Sequence, residues 1–328
     1  MDTKSKVLEL LEKKRGVSLS GQKIAVELGV SRTAVWKSIK ALQSEGHLIG
    51  SATNRGYMLS PDSHILSEES VRALLTVKPE RVFIHNTLES TNITAKELAM
   101  RGAAHGTAVI AERQTAGRGR MGRAFLAPPD SGLYMSVVLY PRIMGVASAT
   151  WMTAAAAVAV CEAVEAVTGG LSGGPPVIKW VNDVFVGGKK VCGILTEAIT
   201  DVESGRADWA VTGIGINISS VPDGLEGVAG AILPGNRDAS VRVRLAAELL
   251  NRLAAPNAWG DVKALRAAYK KRLFMLGQTV GVILPNETYD AVALDVDAEG
   301  RLLVERPDGT RAALLYGEVS LRAGGGAV

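Results

Sequence analysis

A glycine–arginine loop in the middle of the chain is the segment best suited to hold an anion. In Gly117–Arg123 three glycines alternate with three arginines, so backbone N–H and guanidinium groups can donate to the same ligand. The glycine spacing matches the dinucleotide-binding fingerprint, but that fingerprint needs a helix to begin at the glycines. Here the proline-containing stretch 127–132 follows, which predicts more loop. The pattern therefore predicts a loop that binds a nucleotide or a phosphate.

Further along the chain, charged and amide side chains lie within strand-like sequence. Apolar runs on both sides of Gly187-Gly188 predict a hairpin. Burying a charge is costly unless it is paired or used in chemistry, so charged residues in such a hairpin are candidate functional groups. The alternative is that the lysines lie on a solvated face, although an apolar run at 191–195 directly follows one of them. The candidates are Lys179, Asn182, Asp183 and Lys190.

Two other segments place polar groups at the ends of predicted elements. Ser90-Thr91-Asn92 follows an apolar strand at 82–84 and begins a helix predicted at 90–101, where polar side chains meet the positive end of the helix. By itself this is the pattern of an ordinary helix cap. Gly213–Asn217 lies at the end of a strand predicted at 209–214. Its glycines let a ligand approach the backbone, and Asn217 offers an amide.

The first sixty residues predict a winged helix-turn-helix. Ser20 and Ser31 can cap two helices that are separated by Gly29, and residues 48–59 predict two short strands around a turn, which is a wing. In such a motif the second helix reads base edges with its first residues and contacts phosphates with later ones. A packing module without a nucleic-acid role is the alternative. The predicted DNA contacts are Gly21, Ser31, Arg32, Thr33, Trp36, Lys37, Lys40 and Arg55.

Charge and composition agree with a nucleic-acid module joined to a larger neutral part. Residues 1–64 contain ten Lys and Arg and six Asp and Glu, an excess of four that equals the formal net charge of the 328-residue chain. An ordinary solvated face would show the same excess. The length predicts two or three domains.

The remaining composition excludes several classes of protein. Two cysteines cannot form a disulfide framework, and a zinc site would need more thiols or histidines. The apolar stretch 147–167 contains Glu162 and Glu165, which predicts a buried helix and no membrane span. The charged N-terminus lacks the apolar core of a signal peptide, so we expect a cytoplasmic protein.

Taken in this order, the segments resemble the biotin protein ligases of the kind that also repress the biotin operon. The resemblance covers nearly the whole chain. The family's arginine–glycine loop is intact at Gly117–Arg123, its K-W-P-N-D motif appears at 179–183, its K-x-x-G-I-L-x-E motif at 190–197 and its G-x-G-I-N motif at 213–217. Phe125 replaces the usual Trp after the loop, and Val181 replaces the usual Pro. The loop 219–234 contains no Trp, although some relatives place one there against the adenine.

The resemblance implies an α+β multidomain fold. It implies an N-terminal winged helix-turn-helix at 1–64, a mixed-sheet catalytic domain similar to class II synthetases at 65–276, and an SH3-like β-barrel at 277–328. For the last region, turn signals after residue 278 predict about five short strands, and helices are predicted at 239–256 and 261–276.

The resemblance also implies the chemistry. Biotin and ATP are the expected substrates, with Mg²⁺ bridging phosphates, and the expected partners are a biotin carboxyl carrier protein, operator DNA and a second copy of the chain. The implied catalytic residues are Lys190, Arg118, Lys179 and Asp183. The implied biotin contacts are Ser90, Thr91, Asn92, Gln114, Arg118, Gly119, Arg120, Lys190, Gly193, Gly213 and Gly215. The implied nucleotide contacts are Arg118, Arg120, Arg123, Phe125, Lys179, Asn182 and Asn217. Asp183 and Asn217 are the candidate Mg²⁺ ligands.

Two alternatives stay open at this point. A lipoate-type ligase shares the core fold, but the arginine–glycine loop weighs against it. A winged-helix regulator that senses a ligand without catalysis would not need Lys190 and Asp183.

Overall fold

The structure is a computed structural model with three consecutive domains. It describes residues 2–52, 56–63, 65–77, 81–146, 148–200, 207–236, 238, 240–315, 317–323 and 326–327. One apolar cluster fills the N-terminal domain, and a larger one runs through the central and C-terminal domains.

The N-terminal domain is the predicted winged helix-turn-helix. Ser20 and Ser31 accept hydrogen bonds from backbone N–H groups at the starts of the second and third helices, and Gly29 ends the second helix in the left-handed region. Its elements are α1 (Thr3–Lys13), α2 (Gly21–Leu28), α3 (Arg32–Ser44), β1 (Ile49–Ala52) and β2 (Gly56–Leu59). The wing strands pair antiparallel.

A short helix joins this domain to the next one. This helix, α4 (Glu68–Arg72), packs against α1, and the Ser5 hydroxyl donates to Glu69 at 2.5 Å. In the predicted linker at 61–63, Arg15 donates to the carbonyl of Ser63 at 2.8 Å. The winged helix is therefore held against the central domain by polar contacts as well as packing.

The central domain is built on the predicted mixed sheet. Its seven described strands lie in the order β3-β4-β5-β9-β8-β7-β6, and among them only β3 and β4 pair in parallel. The strands are β3 (Val82–Leu88), β4 (Ala108–Gln114), β5 (Gly132–Leu139), β6 (Val177–Lys179), β7 (Asp183–Val186), β8 (Lys189–Thr200) and β9 (Ala207–Asn217). The hairpin predicted around Gly187-Gly188 is β7–β8, and the last strand extends beyond the predicted 209–214.

Helices cover both faces of this sheet. The alanine-rich α7 (Ala149–Thr168) is the one described helix that is long and apolar enough to cross a membrane, yet most of it is buried in the core, as predicted. The others are α5 (Thr91–Met100), α6 (Pro141–Met144), α8 (Ser240–Leu253) and α9 (Val262–Arg272). The last two are shorter than predicted, because bends and turns at 254–259 follow α8 and turns at 274–277 follow α9.

The C-terminal domain is an antiparallel sheet of six strands, where about five were predicted. The strands are β10 (Thr279–Ile283), β11 (Thr288–Val296), β12 (Leu302–Glu305), β13 (Arg311–Leu314), β14 (Glu318–Ala323) and β15 (Gly326–Ala327). The turn between β11 and β12 touches two tryptophans of the central domain. The indole of Trp151 donates to the carbonyl of Ala298 at 2.7 Å, and that of Trp180 donates to Gly300 at 3.2 Å.

Candidate active site

A buried polar pocket lies where α5 begins against the end of β4. Ser90, Thr91 and Asn92 are at most 4% exposed. The backbone N–H of Thr91 donates to Gln114 Oε1 at 2.8 Å, and the Thr91 hydroxyl lies 3.2 Å from the same oxygen. Ser90 stands at the cap position without a side-chain capping bond. The segment is therefore more than an ordinary helix cap, because its hydroxyls and the Gln114 amide meet in one place.

Asn92 joins this pocket to the middle of the sheet. Its amide nitrogen donates to Glu197 Oε2 at 2.9 Å and to the carbonyl of Leu195 at 3.3 Å. Its oxygen accepts from the hydroxyl of Ser136 at 2.6 Å. A side chain on Gly213 would lie 2.1 Å from that oxygen, so the glycine makes room for the amide. The side chain of Asn92 lines the pocket wall with its polar groups bonded to protein.

The glycine–arginine loop follows β4 and is a loop, as predicted. A single turn of 3₁₀ helix at 120–122 interrupts it, and after this turn the chain continues as a loop. The N–H of Gly119 donates to the carbonyl of Arg123 at 2.7 Å, and that of Phe125 donates to Gly117 at 2.8 Å. A side chain on Gly117 would lie 2.4 Å from the carbonyl oxygen of Phe125. The first glycine is thus needed for the hairpin-like closure of the loop.

The three arginines of the loop have different partners. Arg120 donates to Asn182 Oδ1 at 3.0 Å. Arg123 forms a two-pronged ion pair with Glu318 of the C-terminal domain, at 2.5 and 2.7 Å, and this contact holds the pKa of the Glu318 carboxyl below its ordinary value. Arg118 lies 3.6 Å from Glu89 and is more than half exposed. Two arginines therefore tie the loop to other residues that line the cleft.

A lysine–carboxylate pair also lines the cleft. Lys190 at the start of β8 contacts Asp183 at the start of β7, with 2.7 Å between Nζ and Oδ1. Lys179, at the end of β6, has Nζ 5.7 Å from the ring centroid of Phe185. Burial lowers the pKa of Lys179 from its ordinary value, while the nearby Asp183 carboxylate acts in the opposite direction. The two lysines therefore line one cleft and are not spread over a solvated face.

Phe125 separates this cleft from an apolar compartment. Its ring lies over the floor of the cleft, so that a side chain on Gly215 would lie 2.2 Å from it. Beyond the ring, the compartment is lined mainly by aliphatic side chains, among them Leu225 and Val228. Asn217 also borders this compartment and donates to the carbonyl of Gly230 at 3.2 Å.

The structure brings nearly all the predicted ligand contacts into one cleft of about 170 Å³. Asn217 is the exception, since it faces the neighbouring compartment. Sequence reasoning assigned no role to several residues that line or support the cleft. These are Met121, Ser136, Trp180, Leu195, Glu197 and Glu318. Ser136 had a signal, because it is a polar residue in the otherwise apolar strand β5.

The donor atoms suit a metal ion that arrives with its substrate. The described residues contain no group of three or more His, Cys, Asp and Glu side chains that could hold a metal by themselves. Asp183 brings one carboxylate to the cleft, and Asn217 brings an amide to the next compartment. Mg²⁺ takes oxygen ligands and usually keeps several waters while it binds substrate phosphates. The residues therefore fit a phosphate-bound Mg²⁺.

A second candidate site is the outer face of α3. Val35, Ile39 and Leu42 are buried in the core of the winged helix, as predicted. The residues predicted to face DNA are exposed: Ser31, Arg32, Thr33, Trp36, Lys37 and Lys40. Gly21 is half-buried beside the ring of Tyr57 in the wing. Arg55 lies outside the described residues.

Three family models match consecutive parts of the chain. Residues 3–58 match an HTH domain, residues 84–217 match the biotin/lipoate A/B protein ligase family, and residues 275–322 match the biotin protein ligase C-terminal domain. Their order is that of the three domains described above.

Individual relatives agree with the family models. The chain is 34% identical over 317 residues to the bifunctional ligase/repressor BirA of Bacillus subtilis, covering 93% of this chain and 94% of that protein. It is 33% identical over 223 residues to the biotin–[acetyl-CoA-carboxylase] ligase of Mycobacterium tuberculosis, covering 66% and 80%. The biotin protein ligase of Aquifex aeolicus in complex with biotin and ATP superposes with a TM-score of 0.56 at 26% identity, covering 74% of this chain and 99% of that one. The chain therefore belongs to the biotin protein ligases, in the branch that combines ligase and repressor.

Proposed function

We propose that the cleft forms biotinyl-5′-AMP from biotin and ATP and then transfers biotin to a lysine of a biotin carboxyl carrier protein. The observation that carries this proposal is the convergence of three groups of residues. The polar pocket at 90–92, the glycine–arginine loop and the Lys190–Asp183 pair all line one cleft. The pocket would hold the biotin rings, and the charged groups would surround its carboxylate.

In the first step a biotin carboxylate oxygen attacks the α-phosphorus of ATP, and pyrophosphate leaves. Two anions must approach each other, so fixed positive charge is the main requirement. Lys190 would contact the carboxylate and the α-phosphate, and Lys179 would contact a phosphate. Arg118 and Arg120 would close over the ligand.

The nucleotide would extend from the cleft past Phe125. Arg123, Phe125, Asn182 and Asn217 are the other proposed nucleotide contacts, and the aliphatic compartment beyond the ring offers a surface for the base. Asp183 from the cleft and Asn217 from the neighbouring compartment would hold Mg²⁺, which would supply positive charge near the phosphates. The remaining proposed biotin contacts are the backbones of Gly119, Gly193, Gly213 and Gly215.

In the second step the carrier lysine attacks the acyl carbon of the mixed anhydride. The bond between that carbon and the phosphate oxygen breaks, and AMP leaves. The attacking ammonium must first lose a proton, and Asp183 is the carboxylate in the cleft that would accept it or orient the amine.

The winged helix would repress biotin biosynthesis genes as part of a homodimer. One α3 with few basic residues makes few phosphate contacts, and a twofold dimer doubles them. The edge of β8 would form the contact between the two copies. Within the described part of the chain, residues 196–199 of β8 pair with β9 alone, because β7 begins at Asp183, opposite Gly193. We further propose cytoplasmic location and domain limits at 1–64, 65–276 and 277–328.

Pyrophosphate exchange tests the proposed chemistry. Radiolabelled pyrophosphate should enter ATP only when biotin is present, and lipoate should not replace biotin. Exchange with lipoate instead would indicate a lipoate-type ligase. If neither acid supports exchange while the protein binds biotin, the chain is a sensor without adenylation activity.

A further inference from the structure

A hydroxyl group lies in the least accessible part of the central sheet, directly behind the polar pocket. Ser136 belongs to β5, all eight residues of which are buried, and it is 0% exposed. Its Oγ lies 2.6 Å from Asn92 Oδ1 and 2.7 Å from Thr91 Oγ1. A buried hydroxyl is costly unless it is hydrogen-bonded, and both of these partners belong to the pocket. The Ser136 hydroxyl has one proton, so it can donate only one of these two hydrogen bonds.

The orientation of the Asn92 amide fixes the first direction. Its nitrogen faces Glu197 Oε2 and the carbonyl of Leu195, at 2.9 and 3.3 Å, and both of these only accept hydrogen bonds. Lys96 pairs with the other carboxylate oxygen of Glu197 at 2.8 Å, and this contact lowers the pKa of Glu197 against the effect of burial. Glu197 therefore stays an acceptor, and the oxygen of Asn92 must point toward Ser136.

The second direction follows from the first. Because the amide oxygen only accepts, the single proton of Ser136 goes to Asn92. Ser136 is then left as an acceptor for Thr91, whose hydroxyl lies closer to it than to Gln114 Oε1, at 2.7 against 3.2 Å. The proton of Thr91 is thus directed into the sheet. Its oxygen lone pairs remain available to the cleft that Thr91 lines.

Gln114 has the opposite polarity. Its oxygen is held by the backbone N–H of Thr91 at 2.8 Å, so its NH₂ group is the part left for a ligand. That nitrogen lies beside Gly117, and within the described ranges no protein group accepts a hydrogen bond from it. The pocket therefore presents an acceptor on Thr91 and a donor on Gln114, which matches an N–H and a C=O held side by side in a cyclic urea.

We propose that Ser136 is a positioning residue that sets the hydrogen-bond polarity of the ring pocket. Lys96 and Glu197 fix the orientation of the Asn92 amide, and this amide fixes the direction of the Ser136 hydroxyl. Ser136 in turn fixes the direction of the Thr91 hydroxyl. Without the relay the Thr91 hydroxyl could turn its proton into the cleft and present a donor where the cyclic urea also presents one. This inference rests on the proposed binding of the biotin rings at 90–92.

A matched pair of substitutions isolates the hydroxyl. Ser136→Thr keeps the hydroxyl. Ser136→Val introduces a side chain of nearly the same size and shape as threonine but without the hydroxyl. Ser136→Ala gives a third variant without extra volume, should the larger side chains disturb β5. Thermal unfolding without biotin shows whether each variant is folded.

The measurements are steady-state pyrophosphate exchange with biotin and with two analogues, each methylated on one ring nitrogen. We expect Ser136→Val and Ser136→Ala to raise the KM for biotin about tenfold, as expected for a lost buried hydrogen bond. The KM for ATP and kcat should change less than about twofold. For wild type, the KM of at least one methylated analogue should exceed the KM of biotin by about 100-fold. Ser136→Val and Ser136→Ala should reduce this ratio of KM values about tenfold. Ser136→Thr should keep both the KM and the ratio.

Glu197→Gln tests the other end of the relay at constant volume. A glutamine offers both a donor and an acceptor, so the Asn92 amide can turn over and Ser136 loses its fixed direction. This variant should also narrow the ratio. Equal effects of Val and Thr at position 136, or equal losses for biotin, its analogues and ATP, would overturn the relay. If wild type does not bind biotin in a direct titration, the proposed binding of biotin at 90–92 fails instead.

Discussion

The pair formed by Lys190 and Asp183 gives the sharpest prediction at the scale of single residues. Lys190→Ala should reduce adenylate formation by about 10²–10³ because it removes a charge that acts on the transition state. Pyrophosphate exchange measures this loss. Lys189→Ala is the matched control, since Lys189 lies next in the chain and its ammonium donates to the carbonyl of Glu226 outside the cleft. Near-normal exchange by a folded Lys190→Ala protein would refute the assignment.

Arg120 differs from Lys190, because it ties the glycine–arginine loop to Asn182. Arg120→Gly removes its hydrogen bond to Asn182 and returns conformational freedom to the loop. We expect biotinyl-adenylate to leave about tenfold faster, which corresponds to about 1.4 kcal/mol, while its synthesis falls less. Promiscuous labelling of lysines on bystander proteins reports the release. An adenylate lifetime equal to that of wild type would show that the loop is not a lid.

Residue types and spacing were enough to predict the arginines and lysines of the cleft, because these residues occur in compact motifs. The same reasoning gave no role to Ser136, Glu197 and Glu318. Each of them is hydrogen-bonded to a partner more than forty residues away in the chain. Such pairings arise from the sheet order and from domain docking, which a local pattern does not contain.

At the scale of elements, the turn between β11 and β12 connects the C-terminal domain to the active site. Trp180, which donates to the carbonyl of Gly300, stands between the β6 residue Lys179 and the β7 residue Asp183. The turn residues at 297–300 are among the turn signals after residue 278 that predicted the short strands. Their docking between two tryptophans was not predicted, since nothing in the turn itself indicates which surface it meets.

A glycine pair tests whether this turn supports catalysis. Gly300 and Gly309 both have a φ angle near +82°, so alanine costs a similar backbone strain of about 1 kcal/mol at either position. At Gly300 the new methyl group would also lie 2.7 Å from Thr150, whereas at Gly309 it meets open space. Gly300→Ala should therefore destabilise the protein by at least about 1 kcal/mol more and slow adenylation. Thermal unfolding and exchange assays measure both effects. Equal stability and equal exchange rates of the two variants would show that the docking of this turn does not support catalysis.

At the scale of the whole molecule, the net positive charge lies in the domain that carries α3. Arg32→Ala should weaken operator binding by about 1–3 kcal/mol and leave ligation unchanged, since Arg32 is exposed and distant from the cleft in the chain. A gel-shift titration on the biotin-gene promoter, with and without biotin plus ATP, measures the effect. If ligand and DNA binding are coupled, the coupling must be reciprocal. Equal DNA affinity in both conditions would leave a DNA-binding ligase without corepression.

The floor of the cleft has a consequence for the lifetime of the protein. Gly193, Gly213 and Gly215 lie in the middle of two neighbouring strands, where glycine loses the most conformational freedom on folding and contributes no side chain. The substrates would supply the packing that these strands lack. A ligand present at 100 times its Kd adds about 2.7 kcal/mol to the free energy of unfolding. Because proteases remove unfolded chains, bound biotin would protect this protein from degradation. A shortage of biotin would then lower both the amount of the protein and the fraction of it that holds biotin.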